Sequence, residues 1–123
     1  MEFEINKHEK YTIVSIGEEK MTSTVAPAIK SEFLNLAQNG VQNVMVNMKK
    51  VKYIDSSGLS ALLVGNRAFS ESGVFVIFNV TDHVIKLINI SQLDKVINIA
   101  ANQEEAVDLV LMSEIRKGAN AAE

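Results

Sequence analysis

Two serines stand side by side between an acid and a glycine in the stretch YIDSSGLSALL, at positions 53–63. At the start of a helix, a side-chain oxygen can accept a hydrogen bond from the free backbone N–H groups of the first turn. Asp55 or Ser56 can supply that cap, and Gly58 permits a tight turn or a close backbone approach. Capping needs only one of these oxygens. The second hydroxyl raises the question of a further function, although on physical grounds alone capping is the favoured interpretation, because capping serines are common.

Nucleophilic catalysis by this turn would require a base and a third group that orients it. The chain has two histidines, His8 and His83, and both fall in predicted polar turns. An enzyme hypothesis uses Ser56 or Ser57 as nucleophile and His83 as base, but the Gly-x-Ser-x-Gly elbow is missing. The sequence also lacks a Walker loop, a GxGxxG stretch and acid–histidine spacing for a metal. We predict that the protein is not an enzyme and has no catalytic residue, cofactor or metal.

Size and composition favour one ordinary globular domain. The chain has 123 residues, of which 47% are hydrophobic, and a net charge of −3. The negative charge argues against non-specific nucleic-acid binding, which needs a basic surface. The longest apolar run, Val74–Phe78, is far shorter than the roughly 20 residues of a membrane span. With no cysteine and no visible secretion signal, we predict a cytoplasmic domain over 1–117, followed by a frayed tail at 118–123, with no membrane insertion.

The order of elements is predicted to be ββαβαβαβα, because two alternating segments near the start are followed by strands that alternate with helices. Strands are predicted within 3–6, 11–16, 43–48, 74–80 and 95–99. The segment 74–80 is apolar throughout and is typical of a central strand covered on both faces. The fold class is thus α/β, a mixed sheet of about five strands with about four helices.

Helical spacing predicts which side of each helix is buried. The inward residues are expected to be Val25, Ile29, Phe33, Leu36 and Ala37 in the first helix; Leu59, Leu62, Leu63 and Phe69 in the second; Val84, Leu87 and Ile88 in the third; and Val107, Val110, Leu111 and Ile115 in the last. Thr81 is predicted to cap the third helix. Asn102 is predicted to cap the last one, with Glu105 reciprocating.

Beyond this local pattern, the stretch VKYIDSSGLSALL resembles the signature of STAS domains, the fold of bacterial anti-sigma factor antagonists. The stretch VSIGEEKMTSTVAPAIKSEF is similar to the family's Gly-Glu-led loop and first helix, and ESGVFVIFNVTDHVIKLINISQLDKVINI to its core strand, third helix and closing strand. The resemblance covers about 11–110. The resemblance favours a functional role for the second serine, whereas the physical argument alone had favoured capping.

In that family the second serine of the motif accepts a phosphate, which by position implies Ser57. The other motif positions fall on Asp55, Ser56, Gly58 and Leu59, which are expected to bind the partner. The implied partner is a serine kinase that is itself the anti-sigma factor. The unphosphorylated antagonist binds it, phosphorylation ends the binding, and a PP2C-type phosphatase is expected to reverse it.

The kinase brings ATP and magnesium, so this chain would need no catalytic group. The resemblance leaves open a STAS scaffold without a switch, in a stress-sensing complex, and an accessory subunit of a lipid transporter.

The sequence departs from the family pattern in two loops. The family often has Gly-Glu-Leu-Asp after its second strand, where this chain has Gly17, Glu18, Glu19 and Lys20. Lys20 in place of the aspartate changes the charge near the expected partner surface. The family also tends to have Ser-Gly-Leu before its last strand. Here Gln92 replaces the glycine, and we expect only a loop adjustment.

Overall fold

A computed structural model of the protein describes the backbone of residues 3–121 and the side chains of residues 3–118. The strands are β1 (Phe3–Lys7), β2 (Thr12–Ile16), β3 (Lys20–Met21), β4 (Val44–Asn47), β5 (Tyr53–Ile54), β6 (Phe75–Phe78) and β7 (Asn98–Ala100). The α-helices are α1 (Ala26–Gln38), α2 (Ser56–Phe69), α3 (Asp82–Ile90) and α4 (Gln103–Ala121), and a short 3₁₀ helix covers Leu93–Lys95. None of these helices in residues 3–121 is long and apolar enough to cross a membrane.

The main sheet has five strands in the order β1-β2-β4-β6-β7. β1 and β2 form an antiparallel hairpin, and every other neighbouring pair is parallel. The register places Val14 beside Val46, and Val46 beside Ile77. The mixed five-stranded sheet with four α-helices confirms the predicted fold class. A separate parallel pair, β3 with β5, was not predicted, because strands of two residues are too short to show a period.

The two faces of the sheet bury different helices. On one face, residues of β2, β4 and β6 pack with α1, α2 and α3 in the larger apolar cluster. On the other face, Met45, Val76 and Phe78 pack against Ala106 and Val110 of α4. All four residues of β6 are buried, which confirms a central strand covered on both sides.

The inward face predicted for α4 is partly wrong. Val110 is buried, but Leu111 and Ile115 are exposed. A polar contact between α4 and the start of β4 fixes the rotation of the helix: Asn43 Nδ2 donates to Glu114 Oε1 at 2.8 Å. Lys117 Nζ donates to the same oxygen at 3.2 Å and to the carbonyl of Ser72 at 2.6 Å. These bonds lower the pKa of Glu114 and turn position 114, instead of 111 and 115, toward the sheet.

Three smaller predictions also needed correction. In α2, Leu62 is fully buried, whereas Leu59 and Leu63 are half-buried, because small residues fill the rest of its inner face. Thr81 precedes α3, but its hydroxyl donates to the carbonyl of Val51 at 3.0 Å instead of capping the helix. The last strand begins at Asn98, three residues later than predicted, because Leu93–Lys95 forms the 3₁₀ turn.

Two loop positions carry left-handed backbone that bears on the sequence reading. Gly40 has φ +86° just after α1, as suits the predicted helix stop. Gln92 has φ +64°, a conformation that suits the family's glycine better than a glutamine. The division into a domain at 1–117 and a tail at 118–123 stays a prediction. The α4 backbone is helical through 118–121, and positions 122 and 123 lie outside the described residues.

Candidate functional site

The turn between β5 and α2 is held by one carboxylate. Asp55 is the N-cap of α2, and its Oδ1 accepts from the N–H of Gly58 at 3.0 Å. Its Oδ2 accepts from the N–H of Ser23 at 3.3 Å, across the gap to the loop that follows β3. The backbone N–H of Asp55 donates to the carbonyl of Met21 at 3.3 Å. Asp55 therefore starts the helix and ties it to the neighbouring loop.

The two serines are the first two residues of α2. Ser56 is exposed and Ser57 is half-buried. Among the described residues, whose side chains cover 3–118, neither hydroxyl makes a hydrogen bond, since the cap comes from Asp55. Of the two caps that the sequence allowed, the structure selects Asp55, and Ser56 does not cap the helix. Both hydroxyls are thus free for a partner or a modifying enzyme.

Gly58 is required by close packing. A Cβ at this position would lie 2.2 Å from the carbonyl oxygen of Met21 and 2.5 Å from Cγ1 of Ile54. Leu59 is half-buried and packs against the larger apolar cluster. Both residues pack on the inner side of the turn, toward the core. Their expected contact with a partner stays a prediction.

The loop in which the sequence departs from the family pattern lies directly beside this turn. Lys20 pairs with Tyr53 in the β3–β5 ladder, which ends at Ile54, one residue before Asp55. Lys52 and Glu19 form an exposed ion pair at 3.6 Å. The lysine in place of the family's aspartate is exposed, so the change of charge falls on the surface around the two serines.

The arrangement does not assemble the hypothetical nucleophile–base pair. His83 is exposed at the start of α3 and its ring stacks on Tyr53, with 6.2 Å between the ring centroids. The hydrogen bonds of the described residues link neither serine to this histidine. Those residues also contain no cluster of three or more His, Asp or Glu side chains with the geometry for a metal ion.

A cleft of about 540 Å³ opens at the carboxyl ends of β2 and β4, away from the turn. Its polar lining includes Ser15, Asn47, Lys49 and Lys50, and among the described residues none of 53–59 contributes to it. Asn47 Oδ1 is already engaged by the N–H of Lys49 at 3.1 Å and by Asn79 Nδ2 at 3.3 Å. The cleft offers polar groups without a reactive centre.

Known proteins share this architecture. A curated anti-sigma-B factor antagonist from Staphylococcus aureus is 25% identical over 105 residues, which span 85% of this chain and 96% of that protein. An anti-sigma factor antagonist from Mycobacterium paratuberculosis superposes with a TM-score of 0.80 at 16% identity, covering 89% of this chain and 92% of the other. The phosphorylated form of the Bacillus cell fate determinant SpoIIAA gives a TM-score of 0.66 at 19% identity, covering 87% and 97%.

The relatives are regulatory proteins by name, and the two structures establish the fold they share with this chain. The family model described as the STAS domain matches residues 2–106, which include the whole sheet and the β5–α2 turn. This protein belongs to the STAS domain family.

Proposed function

We propose that this protein is a bacterial, cytoplasmic anti-sigma factor antagonist controlled by phosphorylation of Ser57. The observation that supports the proposal is that the residues of the β5–α2 turn have different roles in hydrogen bonding. Asp55 satisfies the backbone donors, so two serine hydroxyls stand at the surface with no structural task. The similarity to an anti-sigma-B factor antagonist supports a regulatory part. The chain acts by binding and is not an enzyme.

Ser57 is favoured over Ser56 because it falls on the second serine of the family motif. Its place at the second residue of α2 also suits a phosphate, since the first turn of a helix carries free N–H groups and a partial positive charge. The modification adds about −1.5 to −2 charges at pH 7. With Asp55 two residues away, the turn becomes strongly acidic.

The charge acts on the partner because the turn itself is rigid. Gly58 is held against Met21 and Ile54, and Leu62 is fully buried one turn further along α2. A partner surface that fits two hydroxyls and one carboxylate then meets added bulk and like charge. Such repulsion costs several kcal/mol in an interface, enough to release a partner of moderate affinity.

The partner is a serine kinase that is also the anti-sigma factor, and a PP2C-type phosphatase restores the hydroxyl. The contact surface consists of Asp55, Ser56 and Ser57, with Gly58 and Leu59 shaping it from below. Lys20 lies beside this surface and tunes which kinase is accepted. The kinase supplies ATP and magnesium, so no catalytic residue of this chain takes part.

Phosphate mapping tests the acceptor. The purified protein is incubated with Mg-ATP and its cognate serine kinase, and tryptic peptides are sequenced by mass spectrometry. We expect one phosphate, on Ser57, lost in Ser57→Ala and kept in the matched variant Ser56→Ala. A phosphate on Ser56, or on a serine outside the turn, would show that the assignment is wrong.

A further inference from the structure

The outer side of α4 carries an apolar surface that the fold leaves uncovered. Leu111 is 41% exposed, Met112 58% and Ile115 71%. The helix is nonetheless firmly attached, because Val110 is buried and Glu114 is held by Asn43 on the opposite side. The exposure of these three side chains follows from a fixed orientation of the helix.

Opposite charges flank this apolar surface along the helix axis. Asp108 and Arg116 lie four residues before and four residues after Met112, so all three project from the same side of α4. Both charged side chains are exposed, and neither forms an ion pair within the described residues. Read outward from Met112, the surface is apolar at its centre, acidic toward the start of the helix and basic toward its end.

We propose that α4 pairs antiparallel with α4 of a second copy of this chain, about a two-fold axis near Met112. The apolar side chains of the two copies meet at the centre. Asp108 of each copy then faces Arg116 of the other, so the charge pair forms twice. A parallel pairing would instead place like charges together. Such self-complementarity is what a two-fold interface requires.

This surface is separate from the phosphorylation turn in two respects. The STAS family model ends at residue 106, so the exposed part of α4 lies beyond the segment matched to the family. α4 and α2 also cover opposite faces of the sheet, so pairing through α4 leaves both copies of Ser57 open. The inference therefore stands independently of the proposed function.

The dimer is expected to be weak. Three apolar side chains per copy form a contact smaller than the roughly 800 Å² per partner of a standard stable interface. Sedimentation velocity of the full chain at low salt, from low micromolar to near-millimolar concentration, should show a monomer that converts to a dimer.

Ile115→Glu should abolish the dimer over this range. Ile90→Glu is the matched control, since Ile90 is 77% exposed at the end of α3, and it should leave dimerisation unchanged. Circular dichroism should show both variants folded. A wild type that stays monomeric throughout, or a dimer that survives Ile115→Glu, would overturn the proposal. Either result would leave this surface to another occupant.

Charge reversal tests the antiparallel arrangement. Asp108→Arg and Arg116→Asp should each weaken the dimer about tenfold, because two attractive contacts become repulsive. Mixing the two single variants should restore association, since each then supplies the charge that the other lacks. Restoration that fails in the mixture, or single reversals without effect, would exclude this pairing. Both sites are exposed, so folding is not expected to change.

Discussion

The starts of α2 and α4 use similar residue types in different ways. At α4, Asn102 Oδ1 accepts from the N–H of Glu105 at 2.9 Å, and Glu105 Oε1 accepts from the N–H of Ala101 at 3.2 Å. Both polar side chains are therefore engaged with the backbone. At α2, the two carboxylate oxygens of Asp55 accept the bonds from the backbone N–H groups of Gly58 and Ser23. The hydroxyls of Ser56 and Ser57 make no hydrogen bond among the described residues. At α4 both side chains stabilise the helix start, whereas at α2 these two serine hydroxyls make no such bond among the described residues.

A third helix shows that a suitable residue type at the N-cap position does not guarantee that its side chain caps the helix. Thr81 precedes α3 as a capping residue would, yet its hydroxyl donates to the carbonyl of Val51. That hydroxyl has a structural task elsewhere in the fold. The feature that sets α2 apart is a hydroxyl near the helix start that neither caps the helix nor bonds another segment. Among the described residues at these three starts, only Ser56 and Ser57 of α2 carry such hydroxyls.

The largest expected difference between the two main starts is in partner binding. Ser57→Asp places a second carboxylate beside Asp55, and we expect it to weaken binding to the kinase by about 3 kcal/mol, roughly a hundredfold. The matched change at α4, Asn102→Asp, exchanges one good cap for another and should leave binding unaltered. Isothermal titration measures both, with circular dichroism as the folding control.

Ser57→Asp need not reach the effect of the phosphate, which carries up to two charges and more bulk. Equal affinity for wild type, Ser57→Ala and Ser57→Asp would place the turn outside the interface. In that case a STAS scaffold without a switch, or an accessory subunit of a lipid transporter, would be the better interpretation.

Glycines provide the next contrast, in stability. Gly58→Ala should lower the free energy of unfolding by about 2–3 kcal/mol, because its Cβ would meet the Met21 carbonyl oxygen at 2.2 Å and the backbone must shift. Gly118→Ala in α4 meets nothing within 4 Å and should instead raise that free energy by about 0.5–1 kcal/mol. Urea denaturation compares them. A mild effect of Gly58→Ala would mean that α2 can move away from β3 and β5.

The parts of the fold that could be predicted from sequence were those with a strong local signal. β6 is continuously apolar, and α1 has Gly40 just beyond its end. The β3–β5 pair was missed because two residues show no period. The inward face of α4 was partly wrong because the Asn43–Glu114 bond joins residues 71 positions apart, and helical spacing carries no trace of it.

The sequence motif was enough to locate the candidate site, but only the structure shows which of its side chains caps the helix. Asp55 and Ser56 are both good capping residues, so the local sequence could not choose between them. The bond from the N–H of Gly58 to Asp55 Oδ1 identifies the cap, and the N–H of Ser23, 32 positions away, donates to the other oxygen of Asp55. The sequence was more informative about Gly58, where a close approach was one of the two predicted reasons and is the one found.

Removing the capping side chains should have a smaller effect, which measures how much each of them contributes to the free energy of unfolding. Asp55→Ala should lower the free energy of unfolding by about 1–2 kcal/mol, because it leaves two backbone N–H groups without an acceptor. Asn102→Ala should cost about 1 kcal/mol, since one such bond is lost. Urea denaturation at neutral pH measures both. A cost at Asp55 no larger than that at Asn102 would mean that the Ser23 bond contributes little.

The smallest effect is the most informative for the comparison. Ser56→Ala and Ser57→Ala should each change the free energy of unfolding by less than about 0.5 kcal/mol, because neither removes a hydrogen bond between described residues. Alanine is also a slightly better helix former than serine, which offsets the small loss of contact at the half-buried Ser57. Urea denaturation of both variants beside Asp55→Ala, under one condition, separates the capping side chain from the two spare ones. If Ser57→Ala costs as much as Asp55→Ala, its hydroxyl has a structural task. The turn would then resemble the start of α4, and the physical argument for a free phosphate acceptor at Ser57 would fail.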